Sequence, residues 1–73
     1  MSDWSPVQLR QQHAVLEALG PGWRTAGEVR ARVGGRLPGR VVQYRLRELR
    51  TRGKVEYRED PLTRTGHWRR ADA

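Results

Sequence analysis

The side chains with most to offer a partner lie between residues 40 and 51. Arg40, Gln43, Tyr44, Arg47, Arg50 and Thr51 recur at steps of three and four, the spacing that puts them on one side of a helix. Guanidinium groups are permanent planar cations with several donors, suited to phosphate. Gln43 adds an amide, which a purely electrostatic face does not need. From Arg36 to Lys54 a single acid, Glu48, interrupts the run of cations. An ordinary solvated helix face is the competing reading, and it would carry balancing acids.

Charge is divided unevenly along the 73 residues. Residues 1–22 hold one base against two acids, whereas residues 23–73 hold fourteen bases against six acids. The second half therefore attracts a polyanion, of which nucleic acid is the commonest, because neutralised phosphates release counterions. Fourteen of the fifteen bases are arginine, a ratio that coding bias alone can also produce.

Other chemistry finds little support. With no cysteine there is no thiol nucleophile, disulfide or thiolate metal site, and His13 and His67 are too few for a histidine cage. Ser2 and Ser5 lie outside any nucleophile-elbow context, and no glycine-rich phosphate loop is present. Glu56, Glu59 and Asp60 are close enough in sequence to consider a magnesium-dependent nuclease, but they fall on a hairpin edge with no cleft. No enzyme, metal or other cofactor is expected. The absence of a long apolar run and of a basic-then-apolar leader predicts a cytoplasmic, non-membrane protein.

The elements that must hold the arginine face are written in caps and periods. Ser5 with Gln8 forms a capping box, Pro6 fits the first helical position, and Trp4 with Leu9 forms the two ends of a hydrophobic staple. Leu9, Val15, Leu16 and Leu19 supply the apolar side of a helix over residues 6–19, stopped by Gly20-Pro21-Gly22. Thr25 with Glu28 is a second capping box, opening a two-turn helix over 26–33 that Gly34-Gly35 ends. Pro38 opens a third helix, 38–52, with Val42, Leu46 and Leu49 inward and Gly53 closing it. The period then changes to two. Val55 and Tyr57 alternate with Glu56 and Arg58, and His67-Trp68-Arg69-Arg70 returns, predicting a hairpin over 54–58 and 67–70. Trp23-Arg24 reads as a very short strand or a connector, and the three tryptophans as core or staple residues. The whole chain, 1–73, reads as one small α+β domain.

This order of elements resembles a winged helix-turn-helix domain. The residues carrying the likeness are Thr25-Ala26-Gly27-Glu28-Val29, then Val42, Leu46, Leu49, Gly53, Lys54 and Val55, with Trp68 as the aromatic that closes the wing. It covers residues 9–70 and is similar to the cores of small bacterial, archaeal and phage regulators of the MarR, ArsR and PadR groups. No cysteine or histidine cluster corresponds to a metal sensor, and no small-molecule effector is evident.

The resemblance implies double-stranded DNA binding by a small transcriptional regulator. It places the third helix in the major groove, with Arg40, Gln43, Tyr44 and Arg47 at base edges. Thr25, Arg36, Gly39, Arg50, Arg52 and Lys54 are then expected at phosphates, and Arg58, Arg64 and Arg69 form a basic wing suited to a minor groove. Glu59 and Asp60 at the base of that wing oppose phosphate. Tyr44 can alternatively pack on the helix flank. Arg45, Glu48 and Arg52, with the first helix, are candidates for a homodimer interface. The alternatives to a regulator are a winged-helix protein-interaction module in a larger assembly, an RNA binder, or a non-specific architectural DNA binder.

Overall fold

The computed structural model describes residues 5–72. It is an α+β arrangement of three helices followed by a two-stranded antiparallel hairpin: α1 Pro6–Leu19, α2 Ala26–Val33, a 3-10 turn Gly34–Arg36, α3 Gly39–Thr51, β1 Val55–Glu59 and β2 Gly66–Arg70. Both capping boxes form. Ser5 Oγ accepts from the Gln8 N–H while Gln8 Oε1 accepts from the Ser5 N–H, and Thr25 and Glu28 repeat the exchange at α2. Each satisfies two helix-end groups that folding would otherwise strip of water. The staple expected with Leu9 involves Trp4, which is outside the described residues.

Helix ends follow from glycine and proline. Pro38 is the cap of α3 rather than its first helical residue, because its extended ψ of 150° leaves only its carbonyl to accept from the Val41 and Val42 N–H groups. At the other end Gly53 takes a φ of 74°, so that the Lys54 N–H can reach the Leu49 carbonyl and the Gly53 N–H that of Arg50. That closure uses the Lys54 backbone, and the strand begins one residue later than expected.

The core is made of valine, leucine and alanine. Val15, Ala18 and Leu19 meet Val29 and Val33 of α2, the Val42–Leu46–Leu49 stripe of α3 and Val55 of β1, with Leu16, Ala26, Leu37 and Trp68 around them. The chain contains no phenylalanine, so half-buried tryptophan closes the rim. Leu9 departs from the expected apolar side: it is exposed, because α1 extends past the elements that cover its C-terminal half.

The hairpin pairs Val55 with Arg70, Tyr57 with Trp68 and Arg58 with His67. Alternation puts Tyr57 and Trp68 on one face, ring centroids 4.6 Å apart, and Arg58, His67 and Arg69 on the other. Tyr57, expected to be half buried, is instead exposed at the edge of the core. Its ring lies over Gly66, where an added Cβ would sit 2.5 Å from the phenolic oxygen. The possible strand near Trp23 is reduced to a single bridge: Arg24 and Trp68 exchange two backbone hydrogen bonds of 2.8 and 2.7 Å.

Candidate nucleic-acid interface

Burial of Val42, Leu46 and Leu49 fixes the rotation of α3 and turns Arg40, Gln43, Tyr44 and Arg47 into solvent together. Tyr44 is 56% exposed, so it stands in this surface and not against the flank. Glu48 does not share it. Its carboxylate accepts from Arg45 Nη1 at 2.6 and 2.7 Å and from the Gln12 side chain of α1 at 3.2 Å. Arg45 is thereby drawn inward, its side chain only 13% exposed. Arg45 and Glu48 therefore tie α1 to α3. The outer face of α3 is left without an acid.

Free helix-end N–H groups and two guanidinium groups gather at the start of α3. No side chain caps this helix, and its N-terminal N–H groups carry partial positive charge. Arg36, at the end of the 3-10 turn, donates through Nε to the Val33 carbonyl, which keeps its stem close to α2. Arg30 joins them: its guanidinium lies against the Cα of Gly39, where a Cβ would meet it at 2.6 Å. Sequence reasoning missed Arg30, because its position on α2 says nothing about the chain folding back beside it; Gly39 was the available signal.

A groove of about 360 Å³ separates α3 from the hairpin. Thr25, Ala26 and Gly27 at the start of α2, Gln43 and Arg47 of α3, and Tyr57, Thr65, Gly66 and Trp68 of the hairpin line it. Thr25 accepts from Glu28 within its capping box, which leaves the hydroxyl proton to donate outward. The Thr25 backbone N–H holds the Glu28 carboxyl below its ordinary range. Tyr57, which the alternation of the strand placed on its half-buried side, is the phenol of this groove. Arg50 stacks on its ring, 4.8 Å from the centroid, which brings Arg50 to the same side.

The remaining expected residues divide. Arg58 and Arg69 lie over Trp23, at 4.4 and 4.7 Å from its ring centroid, and Arg69 also pairs with Glu56 at 2.7 Å. Both are on the hairpin face turned away from Tyr57, engaged with the protein. Arg64 is in the loop at the tip. Lys54 lines a second, more apolar groove of about 570 Å³ with Leu9, Gln12, Leu16 and Leu49, whose lining does not include Arg47. Arg52 is exposed at the end of α3. The three acids weighed as a magnesium site do not converge: Glu56 binds Arg69, and Asp60 accepts loop N–H groups. Among the described residues no group of acids and histidines could hold a metal, and no helix is long and apolar enough to cross a membrane.

Comparison with protein-family models, curated proteins and solved structures finds no match to this chain. The functional reading therefore stands on the residues and their geometry.

Proposed function

We propose that this chain is a winged helix-turn-helix domain that binds double-stranded DNA and acts as a small cytoplasmic transcriptional regulator without catalytic activity. The observation that carries the reading is the acid-free outer face of α3, with Arg40, Gln43, Tyr44 and Arg47 together in solvent beside a groove closed by the hairpin. A major groove about 12 Å wide admits such a helix. Arg40 and Arg47 grip guanine O6 and N7, and Gln43 grips adenine N6 and N7, each good bidentate pair worth about 1–3 kcal/mol of discrimination. Tyr44 contacts a phosphate or a thymine methyl.

Phosphates then set the register. One strand passes the uncapped start of α3 with Arg30 and Arg36, and donors in the groove between α3 and the hairpin hold its neighbour. One helix reads only a short site, so tight specific binding calls for two copies on half-sites about 34 Å apart.

The test is fluorescence anisotropy with labelled duplexes. Arg40→Ala and Arg47→Ala should each weaken binding by about ten-fold or more, equivalent to about 1.4 kcal/mol, with melting temperature unchanged. Wild-type affinity in both variants would refute the groove assignment. The groove of Leu9, Leu16 and Leu49 favours a second reading, a protein-interaction module. It predicts a tight protein partner and duplex binding that moderate salt abolishes without sequence preference.

A further inference from the structure

β1 is an edge strand. Its neighbour β2 pairs with it on one side and bridges Arg24 on the other. Trp68 gives both its N–H and its carbonyl to Arg24, at 2.7 and 2.8 Å, so these groups point away from Tyr57, which faces it across the ladder. Tyr57 and Trp68 are therefore a pair without mutual hydrogen bonds, and the Tyr57 N–H and carbonyl point to the outer edge of β1. No strand of the described residues covers that edge. An uncovered edge is a template for pairing, which proteins commonly block with charge or proline.

The charges of β1 do not block it against its own copy. Lys54, Glu56, Arg58 and Asp60 alternate with Val55, Tyr57 and Glu59. Antiparallel pairing of two β1 strands about Tyr57 sets Glu56 opposite Arg58 of the second copy, Arg58 opposite Glu56, and Lys54 opposite Asp60. Opposite charges then meet at each of these positions, where like charges would destabilise the pair. The two side chains nearest the centre keep groups for such a contact. Both Arg69 contacts to Glu56 reach Oε1, at 2.7 and 3.1 Å, which leaves Oε2 to accept from a second guanidinium. Arg58 lies over the Trp23 ring at 4.4 Å, and a stacked guanidinium keeps its N–H edge for a partner. Net charge favours the same place. Residues 54–60 hold three of the six acids of residues 23–73 against two bases, so two chains of net charge +7 can approach here without the repulsion that the α3 face would impose.

We propose that β1 pairs antiparallel with β1 of a second copy of this chain, joining two hairpins into one continuous sheet centred on Tyr57. The interface is isologous, each strand meeting the same residues of the other. Strands this short make a weak, concentration-dependent dimer of the transient class. The inference concerns assembly and does not rest on the duplex-binding reading; it supplies a route to the two copies that half-sites call for.

The test is sedimentation equilibrium of the full chain without nucleic acid, from micromolar to millimolar concentration. Wild type should move from the monomer mass towards twice that value. Glu56→Arg and Arg58→Glu should each stay monomeric, because each sets like charges opposite one another. An equimolar mixture of the two variants should dimerise again, since every charge at these positions then meets its opposite. Amide exchange of the wild type gives a reading that needs no variant. Protection of the outward Tyr57 N–H should rise roughly ten-fold with concentration, while the Glu56 and Arg58 N–H groups, which face β2, stay unchanged. A wild type that is monomeric throughout, or a Tyr57 amide that gains no protection, overturns the pairing. A dimer that both single variants retain, or a mixture of folded variants that stays monomeric, overturns it equally. The duplex titration with Arg40→Ala is read separately, so failure here leaves the major-groove reading standing.

Discussion

Replacing Glu48 by alanine tests how the bare face of α3 is produced. The carboxylate accepts both contacts of Arg45 Nη1 and the Gln12 amide, so its loss leaves two inward-facing donor nitrogens without that acceptor. Arg45 is ill placed to compensate, since its Nε is already buried without a hydrogen-bond partner. Removing one member of a fully buried ion pair costs about 3–5 kcal/mol. The Glu48 side chain is 31% exposed, so solvent screening lowers that cost to about 2 kcal/mol. The stranded Gln12 amide adds roughly 1 kcal/mol. A domain of this size melts about 4–8 °C lower per kcal/mol, which places the expected fall at roughly 12–24 °C. Thermal unfolding followed by circular dichroism at 222 nm reads it directly. The double variant Arg45→Met/Glu48→Leu, which removes both charges and keeps the volume, should recover most of the loss. A Glu48→Ala melting temperature within about 3 °C of wild type would refute this account of the α1–α3 junction.

Two further outcomes test the hairpin. Trp23→Ala removes the ring on which Arg58 and Arg69 lie; two partly exposed cation–π contacts are worth about 0.5–1 kcal/mol each, so melting should fall by roughly 5–15 °C. Equal melting of wild type and variant would show that the stacks contribute nothing. For Asp60, the Leu62 N–H and then the Thr63 N–H hold the carboxyl below its ordinary range. A depressed folded-state pKa means that the loop is stabilised above the ordinary aspartate value and loses that contribution as pH falls through the lowered one. The amide resonances of Leu62 and Thr63 should therefore move together only below about pH 4. Movement centred above that pH would contradict the assignment.

Much of this arrangement is local chemistry and therefore legible. Each capping box spans four residues, and the Ser5–Gln8 and Thr25–Glu28 pairs form whatever packs above them. The stripe of Val42, Leu46 and Leu49 fixes the rotation of α3, so the outward direction of Arg40, Gln43 and Arg47 follows from spacing alone. What spacing does not carry is the destination of long side chains. Arg45 sits on a flank where either outcome is open, and a carboxylate three residues on together with Gln12 from another helix decides for burial. Arg58 and Arg69 read as free wing cations until the bridge at Arg24 brings the adjacent Trp23 beside β2. Arg30 depends on the turn between α2 and α3, and Leu9 on how far its neighbours extend along α1. Each of these is a tertiary contact with no signature at short range.

The central claim is that nucleic acid is met by one face only, the outer side of α3 with the hairpin tip. Titrating the 15N-labelled chain with a 16-base-pair duplex and following amide resonances tests it most directly. The account predicts shifts at Gly39, Arg40, Gln43, Tyr44 and Arg47 and at the tip from Leu62 to Thr65, with His13 and Glu17 on the outside of α1 unmoved. Shifts confined to Leu9, Leu16 and Lys54, or no shift at physiological salt, would contradict it.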